Sequence, residues 1–437
     1  MTEPLDSGRS QAGLVRALGR WDLTSLVVNS VIGSGIFGLP AILLGLVGGL
    51  SPLAYLAAGA GMAVIIVCFA EVASRFREAG GPYLYAREAF GQFVGLQIGW
   101  IAWLVRLTSA GANSNLFVVY LGELWQPANE PVVRIVLLTS MFGFLAVINY
   151  RGVRHGALLS DLFVVAKLVP LAVFILVGLF FLRGENFQLA KAAGLSDWSQ
   201  ALLLLVFAYG GFEQVLMPAS EAREPKRDMP FALLTGLAVV ATVYLLIQVV
   251  VVGTLASGAV TERPLAMAAR GFLGVAGAWL LSVGALISTY GWMSGGILAA
   301  PRLTFALGER GDFPAFFAAV HPRFRTPHVS ILLFVGLSWA LAVAGTFAWN
   351  VTLSAVARLL TYAATCVALL VFRRRFSEAP VFRAPAGTVL ALLGIGFCVV
   401  LLLRMGRAEL IILGVTMALG GATWLWARRR VSPPAAS

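Results

Sequence analysis

Three cations, Arg106, Lys167 and Arg358, stand inside long apolar stretches of this 437-residue sequence. A charge at such depth is costly unless it is neutral, paired or bonded to helix carbonyls, so each marks a candidate site. Lys167, in Val-Val-Ala-Lys-Leu-Val-Pro170, lies about eleven residues into its stretch, roughly 16 Å along a helix. That is too deep to reach water comfortably, and such a lysine can either gain and lose a proton or bridge helix carbonyls as a fixed cation. Arg106 shares one helical face with Ser109 and Asn113, a stripe suited to a cavity wall or to bonding between helices.

Two glycine clusters offer a different chemistry. The first is Asn29-Ser-Val-Ile-Gly-Ser-Gly-Ile-Phe37 with Pro40 beyond it; the second is Phe207-Ala-Tyr-Gly-Gly-Phe-Glu213 followed by Pro218. Glycine weakens a helix, and a break exposes backbone. Freed N–H groups of Gly33, Ser34 and Gly35, at the positive end of a following half-helix, would take a carboxylate without an arginine. Carbonyls exposed at Gly210 and Gly211 would suit an ammonium group. Small residues that let helices pack closely are the plainer explanation of either cluster alone. Glu213, just past the second cluster, can bond freed amides, meet a basic ligand or take part in gating. Glu71 precedes Arg75 by one turn and is expected to pair with it.

The elements that position these residues follow from composition. Hydrophobic residues make up 59% of the chain, charged ones only 12%, and the mean hydropathy is +0.88. Lipid is then the solvent for most side chains. Continuous rather than alternating apolar runs favour helices over a β-barrel. The spacing predicts an all-α membrane protein of about twelve spans near 22–50, 52–74, 91–122, 131–149, 156–182, 198–220, 231–256, 273–302, 328–347, 350–372, 385–404 and 408–427. Residues 1–20 form an N-terminal tail, 21–182 and 198–373 two five-helix halves, 385–427 two peripheral helices and 428–437 a C-terminal tail. Segments 76–90 and 309–320 read as short surface helices.

The net charge of +12 comes from Lys and Arg in short connections, not from an aromatic-rich basic face, so nucleic acid is excluded and topology explains it. Roughly 22 cations, Arg9, Arg16, Arg77 and the runs Arg373–Arg375 and Arg428–Arg430 among them, fall on one side against roughly 7 opposite. Both termini are therefore expected in the cytoplasm of a multi-pass cell-membrane protein. Cys68, Cys366 and Cys398 lie within spans and read as packing residues. His155, His321 and His328 have no metal spacing, and no cofactor is expected. No phosphate-binding Gly-Lys-Ser/Thr loop or catalytic elbow occurs, which argues against an ATP-driven pump or a hydrolase.

Glycine-interrupted first and sixth spans, at matching positions of two five-helix halves, point to an inverted-repeat transporter. Four stretches then resemble the amino acid-polyamine-organocation transporter superfamily: Ile32–Phe37, Ala70–Gly91, Phe207–Glu213 running on to Ser220–Pro230, and Arg302–Pro314. The resemblance implies a LeuT-like 5+5 inverted repeat plus two peripheral helices, with substrate held at the two broken helices. It implies that amides around Gly33, Ser34 and Gly35 hold a carboxylate, and that carbonyls of Ile32, Phe207, Ala208 and Gly210 hold an amino group. Tyr209 and Phe212 are aromatic neighbours able to cover the site, or ordinary packing residues. Lys167 looks like the fifth-helix lysine that stands where a sodium ion sits in sodium-coupled relatives, which favours protons as the coupling ion, or a fixed positive charge in an exchanger, over sodium.

Asn113, Ser288, Trp292 and Arg358 are further candidates for the pathway. The expected function is secondary transport of an amino acid by alternating access, with exchange of an amino acid or amine as the variant. A channel or a membrane enzyme lacks its filter motif or catalytic cluster.

Overall fold

The computed structural model describes residues 18–76, 80–151, 156–187, 193–216, 222–255, 261–376 and 378–430. Arg9, Arg16, Arg77, His155 and Pro218 lie outside the described residues. Fourteen α-helices make up the described chain: α1 Arg20–Val31, α2 Ser34–Val47, α3 Ser51–Ala73, α4 Gly81–Phe90, α5 Gln92–Leu124, α6 Pro131–Arg151, α7 Gly156–Gly178, α8 Leu195–Tyr209, α9 Pro225–Thr254, α10 Pro264–Glu309, α11 His328–Ala344, α12 Phe347–Arg375, α13 Gly387–Leu402 and α14 Arg407–Arg430. No strand occurs among the described residues; an isolated bridge joins Leu18 to Ala222.

Seven helical stretches are long and apolar enough to cross a bilayer, and three shorter apolar helices accompany them. Helices close most of their backbone hydrogen bonds within themselves, which lipid demands of a spanning segment. Proline near the first turn of α3, α4, α9 and α10 suits positions whose N–H has no intrahelical partner. Sequence position alone does not say which helices are central, but packing does. The most apolar stretch of α5 is 83% buried, against 17% for α6 and 22% for α14. Helix α5 packs against α10, α11, α12 and α14. Val132, Val136 and Phe144 of α6 and Leu392, Leu393 and Val400 of α13 point outward, a surface suited to hydrocarbon rather than water.

Three local expectations change. Glu71, fully buried, does not pair with Arg75: its carboxylate accepts from Arg373 Nε (2.8 Å) and Nη2 (2.6 Å) and from the Ala384 amide (2.8 Å). Arg373 supplies a planar two-pronged donor from a neighbouring helix, a better match than an adjacent turn of the same helix. Residues 309–320 do not form a surface helix. Helix α10 runs through Glu309, Gly311 takes a positive φ of 75°, and a single 3-10 turn covers Ala315–Ala318. The span expected at 273–302 belongs to the 46-residue α10, which bends at Gly274, whose backbone is non-helical.

Polar clusters fasten the two ends of the bundle. Asp312, buried, accepts from Tyr83, from Arg87 Nη1 (3.0 Å) and from Gln92 Nε2 (2.9 Å), tying α4 and α5 to the chain after α10. Burial, then the hydrogen bond to Asp312, pushes the Tyr83 phenol up to about 12. At the opposite end Glu123 of α5 pairs with Arg263 (3.1 Å) and with Arg270 of α10.

Candidate functional site

The site begins where two helices stop. Helix α1 ends at Val31 and α2 begins at Ser34, so Ile32 and Gly33 form an interruption inside one apolar stretch. Helix α8 ends at Tyr209; Gly210 is extended and Gly211 takes φ 118° before a 3-10 turn over Phe212–Gln214. Gly211 is required here twice over. Its backbone is left-handed, and an added Cβ would sit 2.4 Å from the Ser30 carbonyl oxygen. The interruptions touch: a Cβ on Gly35 would lie 2.9 Å from the Ala208 Cα.

Breaking a helix leaves carbonyls without their usual donors. Lys167 of α7, 2% exposed, donates to the carbonyl oxygens of Asn29 (2.7 Å) and Ile32 (2.8 Å), and Ser288 Oγ of α10 approaches the latter at 3.4 Å. The Tyr244 hydroxyl of α9 lies 3.0 Å from the Val31 oxygen and 3.1 Å from the Ala208 oxygen, so one O–H serves both interruptions. These side chains keep the open backbone satisfied inside an apolar surround, and so hold it open.

A cavity of about 10 Å³ lies between the interruptions, lined by Ser30, Val31, Gly33–Gly35, Ser109, Asn113, Phe207, Gly210, Trp292 and Arg358. It has room for about one water. The N-terminus of α2 and the C-terminus of α8 both border it, so opposite dipole ends share one small space. Such a pair of ends can hold a group carrying both a carboxylate and an ammonium. The Ser34 amide donates to Asn113 Oδ1 at 3.2 Å. Ser34 Oγ and Arg358 Nε, both buried, have no hydrogen-bond partner among the described residues. Trp292 leans against Gly33, its Cδ1 3.5 Å from where a Cβ would stand.

Arg358 of α12 forms the inner wall. Its guanidinium pairs with Glu213, donates to Ser109 Oγ at 3.2 Å and lies over the Phe207 ring at 5.9 Å. The other Glu213 oxygen accepts from the Gly211 amide (2.9 Å) and the Tyr362 hydroxyl (3.1 Å). Beyond this pair a second space of about 20 Å³, lined by Arg106, Glu213 and Gln214 among others, leads to a vestibule of about 610 Å³. Ser109 and Arg358 border the first two spaces; Arg106 and Gln214 border the second and the vestibule. The ion pair stands at the boundary of the small cavity and the second space, and Ser30 borders both the small cavity and the vestibule.

Of the residues singled out from sequence, Gly33, Ser34, Gly35, Asn113, Phe207, Gly210, Trp292 and Arg358 line one cavity. Glu213 faces the adjoining space. Ile32 and Ala208 lend carbonyls already taken by Lys167 and Tyr244. Tyr209 turns away to the Tyr55 carbonyl (3.0 Å), and Phe212 packs on Phe69 and Tyr362. Sequence reasoning missed Tyr244, Tyr362 and the pairing of Glu213 with Arg358. Tyr362 stands one turn after Arg358, a spacing that could have flagged it; nothing local marks Tyr244. Among the described residues no group of three or more His, Cys, Asp or Glu could hold a metal, and Cys68, Cys366 and Cys398 are buried thiols.

A family profile described as amino acid permease matches residues 18–431. The serine/threonine exchanger SteT of Bacillus subtilis is 29% identical over 75% of this chain and 76% of its own length. The methylthioribose transporter of the same organism is 26% identical over 97% and 92%, and its branched-chain amino acid permease BcaP 24% identical over 94% and 92%.

Proposed function

We propose, from the premise that this chain belongs to the amino acid permease family of membrane transporters, that it carries a small amino acid across the cell membrane by proton-driven alternating access. The observation that carries the reading is the small cavity between two interrupted helices, bordered by the start of α2 and the end of α8. An α-carboxylate would take the Gly33–Gly35 amides and an α-ammonium the carbonyls around Phe207 and Gly210. On this reading the helices form about twelve spans, the halves 21–182 and 198–373 are inverted repeats, and both termini face the cytoplasm with the vestibule.

Alternating access follows from how the spaces are arranged. Parting Glu213 from Arg358 would join the small cavity to the vestibule, while closing it and rocking α1, α2 and α8 against α5 and α12 would open the opposite end. Lys167 supports proton coupling because its ammonium has carbonyl partners and, among the described residues, no carboxylate in ion-pair contact. A cycle in which it delivers its proton would loosen both carbonyls of the α1 interruption at once. The likeness to a serine/threonine exchanger favours a second reading, exchange of one amino acid for another.

The test is uptake of a labelled amino acid panel into proteoliposomes, with and without a pH gradient and with sodium omitted. Sodium-independent uptake raised by an inward proton gradient, and lost in its pH dependence by Lys167→Ala, is the expected result. Uptake unaffected by the gradient but accelerated by amino acid inside the vesicles would establish exchange instead. Absence of any amino acid uptake would overturn both.

A further inference from the structure

The vestibule is lined by a buried cation that has no ion-pair partner among the described residues. Arg106 of α5 is 8% exposed, borders both the vestibule and the narrower space behind it, and makes no hydrogen bond or ion pair among the described residues. The nearby acid is Glu213, and its oxygens are already taken by Arg358, Tyr362 and the Gly211 amide. None of the described residues lining the vestibule is acidic, while Arg302 and Arg310 add two further cations to its wall.

A guanidinium enclosed in this way is unfavourable unless an anion meets it. Its five donors lie in one plane and match a carboxylate two at a time. Leu26, Leu303 and Leu307 supply an apolar wall beside it, and about 610 Å³ falls within the range of sites for small organic ligands. We propose that Arg106 anchors a second binding site in the vestibule, for a small organic carboxylate, separate from the cavity between the interrupted helices. The site takes a carboxylate without requiring an ammonium group. It lies beyond the Glu213–Arg358 pair, so it fills whether or not the inner cavity is occupied.

Equilibrium dialysis of labelled benzoate against the purified full-length chain tests this, because benzoate lacks the ammonium group of an amino acid. One saturable benzoate per chain is expected, with affinity reduced at least tenfold by Arg106→Gln and less by Arg106→Lys. Benzyl alcohol should not compete, and Gly35→Val, which obstructs the inner cavity, should leave benzoate binding unchanged. No saturable binding, unchanged affinity in Arg106→Gln, loss of binding in Gly35→Val, or equal competition by chloride would each overturn the proposal. If the Arg106 variants do not fold, phenylglyoxal modification of the wild-type chain decides: benzoate should slow labelling of Arg106 several-fold, and unprotected labelling refutes the site.

Discussion

Replacing Glu213 by glutamine keeps the shape of the inner barrier and removes its charge. The side chains of Arg358 and Glu213 are 3% and 12% exposed, so water screens their attraction little. Removing one partner of a buried pair costs about 3–5 kcal/mol, because the other charge is left uncompensated. If the pair exists in the closed state and parts in the open one, that cost falls on the closed state alone. At about 1.4 kcal/mol per tenfold, the equilibrium should move toward opening by roughly two to three and a half powers of ten. A thiol placed by Ser34→Cys in the small cavity reports this through its rate of alkylation by a polar reagent supplied from the vestibule side. Glu213→Gln should accelerate the reaction about a hundredfold or more, and adding Arg358→Met should recover much of the lost thermal stability. An alkylation rate within threefold of the parent, in a protein that still unfolds cooperatively, would show that the pair is not the barrier.

Tyr244→Phe deletes the hydroxyl that meets the Val31 and Ala208 carbonyls and should destabilise the chain by about 1–3 kcal/mol, read as a lowered midpoint of thermal unfolding in detergent. Gly35→Val puts a branched side chain where even a Cβ stands 2.9 Å from the Ala208 backbone, and should abolish uptake. Gly45→Ala, also on α2 with nothing within 4 Å, should leave uptake intact and stabilise by about 0.5–1 kcal/mol in the same unfolding measurement. The Tyr83 phenol, raised to about 12 from an ordinary 10, contributes stability that is complete below pH 10 and lost as pH rises toward 12. Unfolding titrations at pH 9 and 11 should therefore show a decline that Tyr83→Phe lacks.

Much of this architecture is legible in sequence because lipid permits few solutions. Long apolar runs must be helices, and Gly33, Gly35, Gly210 and Gly211 mark interruptions since lipid tolerates exposed backbone only where protein or a cavity receives it. Lys167 is legible for the same reason, a charge too deep for water. What receives it is not, because the Asn29 and Ile32 carbonyls stand 138 and 135 residues away in the chain. The partner of Arg358 lies 145 residues away, and that of Glu71 is on another helix 302 residues along, so local spacing favoured the wrong arginine. Tyr209 and Phe212 show the limit from the other side. An aromatic beside a break can face inward or outward, and its direction depends on the neighbours it packs on rather than on its place in the motif.

The shared hydroxyl of Tyr244 has a mechanical corollary. It carries a single hydrogen between two acceptors on separate segments, so displacing either segment does not strand the hydrogen; it hands over fully to whichever acceptor stays near. One hydrogen bond is therefore retained at this contact whichever of the two carbonyls moves away. Tyr244 is a shared peg that fastens both interruptions to α9.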